Sequence, residues 1–293
     1  MKVSAKILDG KLVSKIQRRS LHNEVKDLVI LSGVIPRLAL ICVGDNVASN
    51  VYIKNKVRAC DEVGLQSEVY RFDCDCSKQE LTEKIEELNV DNSVHGILVQ
   101  LPLPNHLDPS IIVEKIDPLK DVDGFHPLNA GGVLSGKKNF FPPCTPLGII
   151  SLLDHYKICL AGKHAVVIGR SIIVGKPMAM MLLSRNATVT SCHSQTSDLS
   201  SHCSRADLLV VATGQKQIVT ADMVKPGSVV VDVGIHKELD GRLVGDVDFP
   251  NVGNVASHIT PVPGGVGPMT VAGLVANTIF AYRRVINSRG LPG

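Results

Sequence analysis

The chain has 293 residues, enough for two domains that each bury a core of their own. Hydrophobic residues make up 44% and charged residues 20%, a globular composition, and with no Trp and only 3% aromatics the cores must be built from Val, Ile and Leu. Thirty-one Lys and Arg against 28 Asp and Glu leave a net charge of +3, which excludes recognition of nucleic acid by bulk charge, and no apolar run approaches a membrane span.

The N-terminal stretch "MKVSAKILDGKLVSKIQRRS" is basic but lacks the apolar centre of a signal peptide, so the chain reads as cytoplasmic. The runs "RLALICVG", "SEVYRF" and "GILVQLPLP" then read as strands. "SNVYIKNKVRACDEVG" and "SKQELTEKIEELN" between them have helical period, the second opened by Ser77 with Glu80 in a capping-box pattern. In "SNVYIKNK", Tyr52 and Lys56 stand four residues apart and share a helix face, so a phenol and an ammonium can serve one pocket. A solvated amphipathic helix carries the same pair, and the pair alone does not decide between the two. Eight cysteines occur, but Cys74 and Cys76 are one residue too close for a zinc knuckle and have no second pair, which predicts reduced thiols and no metal site.

"KDVDGFHPLNAGGVLSGKKNFFPPCTP" breaks the rhythm with Gly and Pro and reads as an interdomain connection carrying a long loop. Strands resume with "HAVVIG", "ATVTSCH", "DLLVVATG" and "SVVVDVG", apolar on both faces as in a parallel sheet covered by helices. A last Gly/Pro segment, "HITPVPGGVGPMT", leads into the apolar helix "VAGLVANTIFAYRRVI", long enough to return to the first domain. The fold class expected is therefore α/β in two domains, the second Rossmann-type.

The turn "GRSIIVGKP" follows the first strand of the second array and opens a helix. Free amides at a helix N-terminus bind phosphate, and Gly lets the backbone approach a pyrophosphate. The pattern is not G-x-G-x-x-G, and a plain structural turn has the same letters; its place in a strand-turn-helix unit favours a dinucleotide. Where an NAD site carries an acidic side chain after the next strand, this chain has Cys192, His193 and Ser194, with Arg170 and Ser171 in the turn. A guanidinium and two hydroxyls suit a 2′-phosphate, so NADP is expected over NAD. Ser171 is no nucleophile elbow, since Ile173 stands where that motif needs Gly. A short-chain dehydrogenase is set aside too, because there the Tyr/Lys pair follows the dinucleotide turn, whereas Tyr52 and Lys56 precede it by more than a hundred residues.

"SNVYIKNK", "VHGILVQLPLP", "KDVDGFHP", "PCTPLGII", "GRSIIVGKP", "VGDVDF" and "TPVPGGVGPMT" together resemble the bifunctional methylenetetrahydrofolate dehydrogenase/methenyltetrahydrofolate cyclohydrolase family, in order and over nearly the whole chain. The resemblance implies a folate-binding catalytic domain of residues 1–145 with 270–293 and an NADP-binding domain of residues 146–269. It implies that Lys56 is the catalytic group, that Gln100 supports it, that Tyr52 packs on the folate ring and that Asp123 holds the polar edge of the pterin. Leu101, Pro263, Gly264 and Gly265 are implied in folate binding. Gly169, Arg170, Ser171, Gly175, Ser194, Thr145, Gly214, Gly234 and Ile235 are implied in cofactor binding. The partners so implied are a reduced folate and a second copy of the chain in a homodimer.

The chemistry fits these roles. Oxidising the methylene bridge removes a hydride and calls for orientation more than for a strong acid. Ring opening adds water and breaks a C–N bond, so it calls for a group that carries protons, and an amine does this when desolvation brings its pKa toward the working pH. Gln195 departs from the basic or aromatic residue that many members place after "CHS", which removes one phosphate contact. A monofunctional NADP dehydrogenase with weak cyclohydrolase activity is the alternative within the class. A non-catalytic folate- or dinucleotide-binding regulator is the alternative outside it, and such a chain is expected to lose Lys56 or Gln100, both of which are present.

Overall fold

The structure is a computed structural model that describes residues 4–288. In chain order the first half forms β1 (Lys6–Ile7), α1 (Gly10–Ser32), β2 (Arg37–Val43), α2 (Val47–Val63), β3 (Gln66–Phe72), α3 (Lys78–Val90), β4 (Gly96–Val99), α4 (Pro109–Val113), α5 (Pro127–Leu134) and α6 (Cys144–His155). The second half forms β5 (His164–Ile168), α7 (Gly175–Leu183), β6 (Thr188–Cys192), α8 (Leu199–Cys203), β7 (Leu208–Val211), β8 (Val229–Asp232), β9 (His236–Lys237), β10 (Leu243–Val244), α9 (Phe249–Val252), β11 (His258–Ile259) and α10 (Val266–Ser288).

These elements make two compact units, one of Lys15–Cys144 with the chain from Val271 onward, the other of the residues up to Ser14 with Thr145–Thr270. The first holds a three-stranded sheet in the order β3-β2-β4, with both pairings parallel. Central β2 is buried from Leu38 to Val43, and the two-residue period of a strand sorts its side chains between two cores. Leu38 and Leu40 join one core with Val271, Leu274, Val275 and Tyr282 of α10. Ala39, Ile41 and Val43 join the other with Leu81, Ile85 and Leu88 of α3. The returning C-terminal helix therefore supplies one cover of this sheet. Helix α3 starts as its sequence predicts, the Ser77 hydroxyl accepting from the Glu80 amide at 3.1 Å. Helix α2 is capped by Asn46 and ends at Gly64, whose left-handed φ of 87° lets its amide reach back to Cys60 and Asp61.

The second unit holds a six-stranded, all-parallel sheet in the order β1-β11-β8-β7-β5-β6. Along β5, Ala165 and Val167 enter one core while Val166 and Ile168 enter the other, as expected of a sheet covered on both faces. Two expectations change. Residues up to Ser14 pack with this unit rather than with the first, because β1 pairs with β11 at the sheet's edge. The segment read as a connection is an integral part of the first unit: it contains α5, started by Pro127 and capped by the His126 ring, which accepts from the Leu128 amide at 3.1 Å. The outer ends of the expected first domain, residues 1–3 and 289–293, lie outside the described residues.

Candidate active site

In the three-stranded unit, α2 presents Lys56 inward, only 8% exposed. Its Nζ donates to Gln100 Oε1 at 3.0 Å. Gln100 stands just beyond β4, where its amide donates to Ile41 O at 2.8 Å and its Nε2 donates to Leu101 O at 2.6 Å. A side chain tied at both ends offers its oxygen to the amine without adding charge. Tyr52, one helical turn before Lys56, is 38% exposed, and none of the described residues bonds its hydroxyl.

Asp123 follows a segment that runs beside β4: Asp121 bridges Ile97, and the Ile97 amide donates to Lys120 O at 2.7 Å. The buried Asp121 carboxylate shapes the turn by accepting from the amides of Gly124 at 3.1 Å and His126 at 2.8 Å and from Asn129 Nδ2 at 2.8 Å. Gly124 has φ 76°, and a Cβ there would lie 2.6 Å from the Pro142 carbonyl carbon, so only Gly makes this turn. Burial lifts the Asp123 carboxyl above its usual range; the Lys56 ammonium pulls it back, Asp121 pushes it up and a bond with the Cys144 thiol lowers it. The same burial, with Asp123 beside it, pushes the Cys144 thiol well up. Lys56, Gln100 and Asp123 are thus brought together, with a buried ammonium available to carry a proton and a carboxylate in its field.

Three further buried polar side chains of this unit were missed in the sequence. Ser49 lies seven residues before Lys56 on the same helix face, with its hydroxyl buried and unpartnered. Cys144 donates to Val122 O at 3.2 Å. Asn277 of α10 donates to Val122 O and Pro142 O, both at 2.9 Å. The "SNVYIKNK" and "PPCTP" letters hold the first two, but nothing in their spacing marks them.

In the six-stranded unit, β5 is followed directly by Gly169, whose φ is 129° and whose Cβ would lie 2.3 Å from Ala212 O. A Cβ on Gly175 would lie 2.1 Å from Gly169 O, so both glycines are required for the turn to close on the strand ends. The first amides of α7 are not free, as expected, but are taken by Ser171, whose hydroxyl accepts from Val174 at 3.1 Å and Gly175 at 3.4 Å and whose carbonyl accepts from Lys176 at 3.0 Å. The unpaired amides lie one step earlier, at residues 170–173, where no described residue accepts from them. Arg170 and Ser171 are exposed beside them, and Ser194 is exposed after β6. Cys192 is a correction: it is the buried end of β6, paired with Ile168 in the core, and cannot face a ribose. A turn closed tightly between two glycines, with free amides and an adjacent guanidinium, fits the phosphates of a dinucleotide.

Thr145 shares a hydroxyl bond with Thr270 at 3.0 Å. Gly214 and Gly234 follow β7 and β8, and Ile235 is 45% exposed next to Gly234. Pro263, Gly264 and Gly265 lie in this unit, with Gly264 O accepting from Lys11 N at 2.9 Å, whereas Tyr52, Gln100, Leu101 and Asp123 lie in the other. Among the described residues no group of three or more His, Cys, Asp or Glu is placed to hold a metal ion, and all eight cysteines are unpaired.

A family model described as tetrahydrofolate dehydrogenase/cyclohydrolase, catalytic domain, matches residues 8–123, and the NAD(P)-binding domain of the same family matches residues 143–286. The bifunctional protein FolD of Paracidovorax citrulli is 52% identical over 282 residues, covering 96% of this chain and 99% of the relative. The crystal structure of the bifunctional FolD enzyme of Campylobacter jejuni superposes with a TM-score of 0.93 at 50% identity, covering 96% of this chain and 99% of that one. The FolD structure of Trypanosoma brucei, complexed with NADP cofactor and inhibitor, gives a TM-score of 0.92 at 35% identity over 98% of this chain and 99% of that one.

Proposed function

We propose that this chain, which belongs to the tetrahydrofolate dehydrogenase/cyclohydrolase family, carries out that family's two reactions through the residues just described. It is a bifunctional one-carbon enzyme that oxidises 5,10-methylenetetrahydrofolate to the 5,10-methenyl compound with NADP, then hydrolyses this to 10-formyltetrahydrofolate.

When bound, NADP supplies the acceptor for the hydride that leaves the methylene carbon. The exposed Arg170 guanidinium, with Ser171 and Ser194, holds the 2′-phosphate, and the amides before Gly175 meet the pyrophosphate. Thr145, Gly214, Gly234 and Ile235 line the rest of the dinucleotide. Asp123 accepts from the pterin's N–H groups and holds the ring against the face of Tyr52. Leu101 lines the folate; for Pro263, Gly264 and Gly265 a part in folate binding is what the family resemblance implies.

In the hydrolysis, water adds to the methenyl carbon and loses a proton, a C–N bond breaks, and the released ring nitrogen gains a proton. Lys56 moves these protons and Gln100 keeps its amine aimed. The observation that carries this assignment is the 3.0 Å bond between a buried lysine amine and a neutral amide oxygen, a geometry with no purpose on a solvated helix. A spectrophotometric assay tests it: methylenetetrahydrofolate and NADP should generate the methenyl chromophore, which should then decay. A chromophore that forms and persists would remove Lys56 from the hydrolytic role.

The assembly is a homodimer and the compartment the cytoplasm, both supported by the family resemblance; among the described residues no helix is long and apolar enough to cross a membrane. Light scattering of the purified chain tests the first, and a monomer would refute it.

A further inference from the structure

"VGDVDF" is the motif to which no role has been given, and Asp246 within it is wholly buried. Its Oδ2 accepts from Thr213 N at 2.6 Å, Thr213 Oγ1 at 2.9 Å and Gly214 N at 3.0 Å. Its Oδ1 accepts from His236 Nε2 at 2.7 Å. Thr213 and Gly214 belong to the loop that leaves β7, while His236 ends the loop that leaves β8, so one carboxylate holds two adjacent loops at the carboxyl ends of neighbouring parallel strands. That end of an open parallel sheet is where such folds bind their ligands. The fit is tight: a Cβ on Gly234 would lie 2.1 Å from Asp246 Oδ1. Asp246 is itself held, since its amide donates to Asp232 Oδ1 at 2.9 Å, the same oxygen that accepts from Gly234 N at 2.9 Å.

We propose that Asp246 is the positioning residue that locks the loops of Thr213–Gly214 and Gly234–His236 into the shape that receives the dinucleotide. With four donors on a carboxylate that offers about four acceptor sites, and no exposed surface, it cannot touch a ligand and acts through the loops it holds. The inference rests on the reading that this unit binds NADP.

Calorimetric titration of NADP into the ligand-free protein tests it, alongside cyclohydrolase turnover of methenyltetrahydrofolate, which needs no dinucleotide. Asp246→Ala should weaken NADP binding by about tenfold or more, the range for losing bonds to a charged group, with hydrolysis nearly unchanged. Asp246→Asn should restore most of the affinity, because its oxygen still accepts from Thr213 and Gly214 while its NH₂ faces a His236 ring that can switch tautomer. Unchanged NADP affinity in Asp246→Ala, or equal losses of NADP binding and hydrolysis, overturns the proposal. If Asp246→Ala does not fold, Thr213→Val decides: it removes one donor, and an unaltered NADP affinity refutes the lock. Failure of the parent protein to bind NADP instead refutes the dinucleotide reading itself.

Discussion

Lys56 Nζ and Gln100 Oε1 are 3.0 Å apart although 44 residues separate them in the chain. The bond joins the middle of α2 to the residue just past β4, and Gln100 is held in turn by Ile41 O and Leu101 O. An amine so held keeps its lone pair or its protons aimed in one direction, which is what a proton carrier needs.

Lys56→Met should therefore nearly abolish hydrolysis of methenyltetrahydrofolate, a loss on the order of the 10²–10⁴ typical of a positioned acid–base group. Hydride transfer needs no such group, and dehydrogenase turnover should fall less. Measuring both activities on one preparation separates lost chemistry from damaged folding, which lowers them together. Hydrolysis at the parent rate would make Lys56 a structural partner of Gln100 with no part in proton transfer.

How much of this was legible varied with the range of the interaction. The apolar run "RLALICV" foretold β2, and the two-residue period of a strand puts Leu38 and Ile41 in opposite cores. Strands β1 and β11 span two residues each, too few to carry a period, so the capture of the N-terminus by the second sheet could not be read. The strand-turn-helix around "GRSIIVGKP" was legible, but Ser171 takes the amides at the start of α7 through contacts three to five residues ahead that the spacing of Gly169 and Gly175 does not encode. Cys192 was placed toward the cofactor because its position after "ATVTS" does not say which way a strand-end side chain points; it closes β6 opposite Ile168 and turns into the core. Asp246 collects donors from 213, 214 and 236, and such convergence leaves no local pattern. Lys56 and Gln100 were named by resemblance, since their separation in sequence says nothing of their contact.

Asp123 should make folate binding depend on pH in an identifiable way. Its ring partners are donors, so the carboxylate form is the one that binds, and burial holds the group's pKa above the ordinary carboxylate value. Folate affinity should accordingly fall on acidification at a higher pH than an exposed aspartate, near about 3.9, would dictate. Asp123→Asn should weaken binding by about 1.5–3 kcal/mol at neutral pH and flatten this acid limb. Calorimetry between pH 7.5 and 4.5 makes the comparison, and an equally steep limb in the variant would assign the titration elsewhere.

Arg170 should set the choice of cofactor. Its guanidinium is exposed beside unpaired amides, free to pair with a 2′-phosphate that only NADP carries. Arg170→Ala should lower kcat/KM for NADP by about 1.5–3 kcal/mol in free-energy terms and leave that for NAD nearly unchanged. Equal loss with both cofactors would show that the side chain supports the turn rather than the phosphate.

Asp232 should leave a signature in stability. Its carboxyl is pushed up to about 6, first by burial and further by Asp246, against the pull of the amides of Asp246, Val247 and Gly234. The unfolded chain has the ordinary value of about 3.9, so between about pH 4 and pH 6 the native state binds the extra proton. The group's contribution is thus fully present below about pH 4 and is lost as pH rises through about 6, with a span on the order of 2–3 kcal/mol. Asp232→Asn carries no titrating group, and the misfit of its NH₂ against the Val247 amide costs the same at every pH. Unfolding the parent and the variant in urea at pH 4.5, 6 and 7.5 therefore isolates the titration. The parent's advantage over the variant should be largest at pH 4.5 and shrink toward neutrality, opposite to the trend for a carboxylate held in an ion pair. A difference that stays constant over this range would mean that the three amides keep Asp232 ionised throughout, and that its burial is fully offset by their bonds.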